Sequence, residues 1–225
     1  MNVLFIGNSA TYVHAVPATL KQLAKGVGID VSVGQITPGG YTLAQHADGS
    51  TDHGKALLAE IAKGYDAVLL QDNGNCVASE ERRAACRAAC LALADAIWKS
   101  GAALYFYVRP PYEYEKFGFT AVEQCRELDL LFEKIARELG GTCAFANRAF
   151  AYAIKHLDVD LWGPDRAHTS PEGAFLVAAT IFATLFAYPA TALDAVEGID
   201  KAVAHKLLAV AEKIAHGGVI PWENT

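Results

Sequence analysis

Short apolar runs alternate with longer stretches, in which apolar residues recur every three or four positions, along most of the chain. Most of the short runs are continuous rather than alternating, which is typical of strands that are buried on both faces of a parallel sheet. They predict strands at 3–6, 31–36, 67–70, 104–108 and 142–145.

The longer stretches have the repeat of amphipathic helices. They predict helices near 17–25, 54–63, 79–100, 120–139, 170–186 and 201–216. Strands and helices that follow one another in this way imply right-handed crossovers. We therefore expect an α/β fold, a three-layer α/β/α sandwich whose flavodoxin-like, doubly wound parallel sheet has about five strands. No linker or low-complexity tract interrupts the pattern, so we expect 1–225 to form a single domain.

Composition and charge exclude several classes of function. Hydrophobic residues make up 52% of the chain and charged residues 20%, which is a globular profile. The net charge is −6 and like charges form no block, so a nucleic-acid partner is not expected. No apolar run approaches the ~18 residues of a membrane span, and no membrane partner is expected. Strand-like sequence begins at Asn2 and leaves no room for a signal peptide, which predicts a cytoplasmic location.

Cysteine and histidine residues show no ligand spacing, so we expect neither a metal nor another cofactor. The five cysteines form an odd set without a disulfide framework, which indicates reduced thiols. Cys86 and Cys90 lie four residues apart in helical sequence and are interpreted as small packing residues on one face. His46 and His53 are interpreted as solvated or substrate-lining residues.

Residues suited to catalysis lie in a loop directly after a predicted strand, where ligands bind to open parallel sheets, and in the segment before a late helix. Gly7, Asn8 and Ser9 follow the first strand, and Asp165 and His168 precede the fifth predicted helix. A serine hydroxyl becomes a nucleophile when an imidazole accepts its proton and an acid orients that imidazole. We therefore interpret Ser9, His168 and Asp165 as nucleophile, base and orienting acid.

These blocks resemble those of the SGNH hydrolases, also called the GDSL esterase and lipase superfamily. The signature blocks of that family centre on a serine, a glycine, an asparagine and an Asp-x-x-His, and the matched positions run from Asn2 to His168. The Gly-Asn-Ser block is most similar to a poorly characterised bacterial branch, with Asn8 where the family often has aspartate.

The resemblance implies an oxyanion hole formed by Ser9, Gly40 and Asn75. Asn75 follows from an ungapped alignment of the third block. That block reads Asn-Gly-Asn-Cys where the family usually has Gly-x-Asn-Asp, so Asn73 is an alternative to Asn75. N–H donors aimed at a tetrahedral oxyanion can each contribute ~3 kcal/mol to catalysis.

The long loop after the fourth strand supplies Arg109 and Tyr112, which we interpret as substrate-lining residues. Arg109 is suited to pairing with an acidic substrate. Asn8 is a third candidate for the lining.

The sequence thus predicts a serine esterase that acts on a small-molecule or carbohydrate ester, with an acetyl group as the favoured acyl chain. An acyltransferase that uses the same triad is one alternative. A non-catalytic flavodoxin-like module that binds phosphate at the Gly7-Asn8-Ser9 turn is another, although the turn lacks the glycines and lysine of phosphate loops. The oligomeric state is left open.

Overall fold

Five parallel strands form one sheet in the computed structural model, which describes residues 1–222. In chain order they are β1 (Asn2–Ile6), β2 (Ser32–Ile36), β3 (Ala67–Leu70), β4 (Ala103–Val108) and β5 (Thr142–Phe145). Their order across the sheet is β2-β1-β3-β4-β5, and every neighbouring pair is parallel. The direction of winding reverses between β1 and β3, and the crevice at such a switch point is where ligands bind in open α/β sheets.

Nine α-helices connect and cover the strands within the described residues. They are α1 (Ser9–Tyr12), α2 (Val16–Gly26), α3 (Leu43–Ala47), α4 (Asp52–Ile61), α5 (Glu80–Ser100), α6 (Ala121–Leu139), α7 (Ala146–His156), α8 (Pro171–Phe186) and α9 (Lys201–Ala215). None of these helices has both the length and the apolar character needed to cross a membrane.

The sheet separates two hydrophobic cores because side chains of a strand point alternately to its two faces. Val3 and Phe5 of β1 pack on one side with residues of α2, α7, α8 and α9. Leu4 and Ile6 pack on the other side with residues of α3, α4, α5 and α6. Burial on both faces explains why β1, β3 and β4 are largely apolar runs, whereas the edge strand β2 is partly exposed and includes Gln35. The predicted three-layer α/β/α fold is confirmed.

The predicted strands and the six predicted helices are all present, with ends that shift by two residues at most. Three helices were missed, namely α1, α3 and α7. Two of them have four and five residues, which is too short for a helical repeat to show in the sequence. The third, α7, has 11 residues but follows β5 directly and has no side-chain cap at its N-terminus.

Helix α8 positions the segment that precedes it, which contains Asp165 and His168. Its N-cap is Ser170, whose Oγ accepts the N–H of Gly173 at 3.0 Å, and Pro171 is its first residue. The same hydroxyl donates to the carbonyl of Asp160 at 2.9 Å. These two bonds fix both ends of the segment that contains Asp165 and His168. All five cysteines are free thiols, and Cys86 and Cys90 are buried on α5 as predicted.

Candidate active site

The loops at the carboxyl ends of β1, β2, β3 and β4 meet the segment before α8 at a cavity of ≈ 180 Å³. Its lining includes Asn8, Ser9, Gly40, Asn73, Asn75, Arg109, Tyr112 and His168. Larger depressions lie elsewhere on the surface, such as one of ≈ 370 Å³ beside α2. The cavity at the strand ends is distinguished by its chemistry, because the polar residues selected from the sequence converge on it.

Ser9, His168 and Asp165 form a continuous hydrogen-bonded chain. Oγ of Ser9 lies 2.8 Å from Nε2 of His168, and Nδ1 of His168 lies 2.6 Å from Oδ2 of Asp165. The other carboxylate oxygen accepts the backbone N–H groups of Ala167 and His168, both at 3.0 Å. The N–H of His168, its ring and the N–H of Ala167 hold the pKa of Asp165 well below its ordinary value. The carboxylate is therefore charged at neutral pH and able to hold Nδ1–H, which leaves Nε2 for Ser9.

Ser9 is the first residue of α1, and Asn8 is the N-cap of that helix. Oδ1 of Asn8 accepts the N–H of Ala10 at 3.0 Å, and Nδ2 donates to the carbonyl of Tyr41 at 2.8 Å. The backbone N–H of Asn8 donates to Oε1 of Gln71 at 3.0 Å. Asn8 borders the cavity, but these bonds direct its polar groups into the protein. Its contacts join the loops after β1, β2 and β3.

Gly40 and the two asparagines of the third loop lie on one wall of the cavity. Gly40 has a φ of +74°, a left-handed conformation that glycine adopts without strain. Asn73 donates from Nδ2 to the carbonyl of Gly40 at 3.2 Å and accepts the N–H of Asn75 at 2.9 Å. Both ends of the Asn73 side chain are thus used to hold this wall together.

Asn75 has a different environment. Its Oδ1 is buried without a hydrogen-bond partner, and its Nδ2 makes no hydrogen bond to any other residue within 1–222. Asn75 therefore keeps both of its side-chain N–H donors for a ligand, whereas Asn73 has already used one of its two in the bond to Gly40.

Arg166 lies between Asp165 and His168 and was not selected from the sequence. Its guanidinium pairs with both carboxylate oxygens of Glu113, and Nη1 lies 2.6 Å from Oδ2 of Asp160. The N–H of Glu113 also donates to the carbonyl of Arg166 at 3.0 Å. Arg166 thereby ties the segment that contains the histidine to the loop after β4. Its position inside the Asp-x-x-His block was the only available sequence signal.

The interpretation of His46 as a solvated or substrate-lining residue is wrong. His46 is fully buried, and its Nε2 donates to the carbonyl of Gly7 at 2.8 Å. Because a carbonyl only accepts, Nδ1 of the neutral ring must be the acceptor for Nε2 of His53, at 3.0 Å. Burial lowers the pKa of His46 to about 4. A neutral, buried imidazole thus supports Gly7, two residues before Ser9.

Among residues 1–222, one group of side chains brings several potential metal ligands together. Its members are Asp72, Cys76 and Cys86, whose ligand atoms lie within 4.8 Å of one another. Metal binding requires thiolates, but the hydrogen bond with Cys86 and burial raise the pKa of Cys76 well above its ordinary value. Oδ1 of Asp72 accepts the N–H groups of Leu43 and Asn73 at 3.0 and 2.8 Å. The three residues are therefore suited to a structural role, with protonated thiols and a hydrogen-bonded carboxyl group that support the loop after β3.

Comparison with solved structures identifies proteins of the same fold. A candidate SGNH hydrolase from Slackia heliotrinireducens is 25% identical, with a TM-score of 0.68 over 82% of this chain and 98% of its own. A DUF4886 family protein from Bacteroides uniformis is 19% identical, with a TM-score of 0.82 over 98% and 96% of the two chains. Axe2, an acetylxylan esterase from Geobacillus stearothermophilus, is 19% identical, with a TM-score of 0.56 over 80% and 91%.

The sequence comparisons gave no match, either to a family model or to a curated protein. The structural likeness therefore carries the assignment, together with the serine, glycine, asparagine and histidine that surround one cavity at the switch point. This chain belongs to the SGNH hydrolase superfamily.

Proposed function

We propose that this protein is a serine esterase that hydrolyses a carboxylic ester, with Ser9 as nucleophile, His168 as general base and Asp165 as the orienting acid. The observation that carries the proposal is the chain of contacts from Oγ of Ser9 to His168 at 2.8 Å and from His168 to Asp165 at 2.6 Å. This is the arrangement that converts a weakly nucleophilic hydroxyl into a reactive one.

The reaction follows from these positions. As Oγ of Ser9 attacks the ester carbonyl carbon, its proton moves to Nε2 of His168, and Asp165 stabilises the imidazolium. The imidazolium then gives that proton to the departing alkoxide, which leaves an acyl group on Ser9. A water molecule loses a proton to His168, attacks the acyl carbon and releases the carboxylic acid, and the proton returns to Oγ of Ser9.

Three N–H donors are available for the oxyanion of each tetrahedral intermediate. Ser9 begins α1, and the first N–H groups of a helix have no partner within that helix. The N–H of Gly40 and Nδ2 of Asn75 belong to residues on the same cavity wall. We assign Asn75 rather than Asn73 because the Asn73 side chain is already bonded to Gly40 and Asn75. Each donor would contribute ~3 kcal/mol to transition-state stabilisation.

The size of the cavity favours a small acyl group. Its volume of ≈ 180 Å³ is about half that of the ≈ 370 Å³ depression beside α2. We therefore favour an acetyl ester of a small molecule or carbohydrate, and the acetylxylan esterase among the structural neighbours is consistent with such a substrate. Transfer of the acyl group to an alcohol would use the same residues, and product analysis with and without an acceptor alcohol separates transfer from hydrolysis.

The direct test is a panel of 4-nitrophenyl esters from acetate to octanoate, assayed with the wild type and Ser9→Ala. We expect hydrolysis to be fastest with acetate, and Ser9→Ala to lower kcat by ~10⁴-fold or more, because its residual activity would come only from binding and the oxyanion donors. Ser32→Ala is the matched control, because Ser32 is exposed and begins β2 at the opposite end of the sheet. Turnover of Ser9→Ala near that of Ser32→Ala would exclude Ser9 as the nucleophile.

A further inference from the structure

Arg109 is a buried cation on the wall of the same cavity. It directly follows β4, is 6% exposed and borders the space next to Ser9 and His168. Its Nη2 donates to the carbonyl of Ala167 at 3.2 Å, and its guanidinium carbon lies 4.3 Å from the centre of the Tyr112 ring. Its Nε is buried without a hydrogen-bond partner.

Arg148 shows how the same protein treats a buried arginine that has a structural role. It is also 6% exposed, but its Nε and Nη2 donate to the two oxygens of Asp129 at 2.6 and 3.0 Å. Arg109 has no carboxylate of residues 1–222 within 4.0 Å of its nitrogens. A guanidinium does not lose its proton in a protein, and a buried charge without a counter-ion is costly. The negative charge that pairs with Arg109 is therefore expected on a ligand in the cavity.

The wall of the cavity is shaped around this guanidinium. A Cβ atom at Gly74 would lie 3.2 Å from Nη1 of Arg109 and 2.7 Å from Cε2 of Tyr112. Gly74 lies between Asn73 and Asn75, so the missing side chain lets Arg109 approach the loop of the proposed oxyanion donor. With Tyr112 on its face and Ala167 at one nitrogen, the guanidinium is held as a planar donor group. Such a group binds a carboxylate through two parallel hydrogen bonds.

We propose that Arg109 is a carboxylate-binding subsite, so that the substrate is an ester that also carries a carboxylate group. This inference rests on the proposed esterase function and adds the class of substrate to it. The cavity holds the reacting ester at Ser9 and the negative charge at Arg109, and Tyr112 covers the guanidinium from one side. A neutral ester of equal size has no carboxylate that could pair with the buried guanidinium of Arg109.

The kinetic test uses two pairs of esters, each an acid and its methyl ester. One pair, 4-acetoxybenzoate and methyl 4-acetoxybenzoate, carries the carboxylate on the alcohol. The other, the 4-nitrophenyl monoester of adipate and its methyl ester, carries it on the acyl group. We expect the wild type to prefer the acid in at least one pair by ~10-fold or more in kcat/KM, and Arg109→Met to abolish that preference, as expected for loss of a charge-assisted bidentate bond.

The preference within each pair separates recognition from damage to the triad. Arg109→Met also loses the contact with Ala167, and any resulting displacement of His168 would slow both members of a pair by the same factor. Arg137→Met removes the same charge from an exposed arginine on α6 and should keep the wild-type preference. Arg109→Lys keeps the charge without the planar pair of donors, and should retain part of the preference.

A binding measurement keeps this test independent of the proposed reaction. Benzoate and adipate should raise the Tm of Ser9→Ala, and the increase should be absent when Arg109→Met is added to that variant. If the wild type hydrolyses none of the four esters but benzoate or adipate stabilises Ser9→Ala through Arg109, the esterase proposal fails and the subsite remains. Equal preference in the wild type and Arg109→Met, or no preference for the acid in either pair, would overturn the subsite.

Discussion

Asn73 and Asn75 are two residues apart, yet their identical side chains make different contacts. Asn73 is bonded at both ends, to Gly40 and to the backbone of Asn75, and so joins the second and third loops. Asn75 keeps its amide N–H groups for the cavity and has a buried, unpartnered Oδ1. The pairing with Gly40 spans 33 residues, so sequence alone left the two asparagines as alternatives.

We predict that Asn75→Ala lowers kcat with an aryl acetate by ~10²-fold or more and leaves KM nearly unchanged. The reason is that an oxyanion donor acts on the transition state and not on the bound ester. Steady-state kinetics of both alanine variants provide the measurement, and the Tm is recorded alongside.

Asn73→Ala serves as the comparison in that experiment. It removes bonds within the protein, so we expect a lower Tm and a smaller effect on kcat than in Asn75→Ala. A larger loss of kcat in Asn73→Ala, at an unchanged Tm, would transfer the oxyanion role to Asn73.

The elements show which parts of the fold follow from local sequence. The strands could be predicted because burial on both faces leaves a continuous apolar run, as in β3. The first residues of α8 were also predictable, since Ser170 and Pro171 are typical of a helix start. In contrast, α7 follows β5 without a loop or a capping side chain, and its start is fixed by packing against other elements.

The same distinction applies to the loops around the site. The order of the strands and the Asp-x-x-His spacing were enough to select Ser9, Asp165 and His168. The roles of Arg166 and His46 depend on partners that are distant in sequence, namely Glu113 at 53 residues and Gly7 at 39 residues. No periodicity or local motif reports contacts of that kind. Supporting residues were therefore missed or misinterpreted, whereas the proposed nucleophile, base and orienting acid could be selected from the sequence.

Arg166 provides a prediction at the scale of a loop. We expect Arg166→Gln to lower kcat by ~10-fold, because the segment between Asp165 and His168 loses its attachment to Glu113 and Asp160. The change in Tm should be small, since partly exposed ion pairs contribute little to stability.

Arg87→Gln is the matched control for this loop, because it breaks a comparably exposed pair with Glu138. The arginine and carboxylate side chains are 46% and 37% exposed there, against 38% and 35% for Arg166 and Glu113. Kinetics and thermal unfolding of both variants provide the measurement. An equal kcat in the two variants would show that the ion pair of Arg166 does not position the histidine.

At the scale of the whole molecule, the parallel sheet is what brings distant residues to one cavity. The carboxyl ends of β1 and β3 are adjacent at the switch point, and β2 lies beside β1. Ser9, Gly40 and Asn75 follow these three strands, and α8 places His168 opposite them. The molecule buries polar groups beneath these loops to hold them. One of these buried groups, His46, can bind a proton, so the stability of the whole fold depends on pH.

His46 gives this dependence a definite direction. Its pKa is about 4 in the folded protein and ~6.5 in an unfolded chain, so between these values the unfolded chain binds a proton that the fold does not. Unfolding therefore becomes easier as the pH falls from 6.5 towards 4, and the His46 contribution to the free energy of unfolding falls by up to about 3 kcal/mol.

We predict that urea titrations at pH 7.5, 6, 5 and 4.5 show this loss in the wild type and in His205→Gln, whose histidine is exposed. His46→Gln should be less stable at pH 7.5, because the fit of the buried ring is lost, but its stability should change less with pH across the same window. A pH dependence in His46→Gln that parallels the wild type would assign the acid sensitivity to other groups.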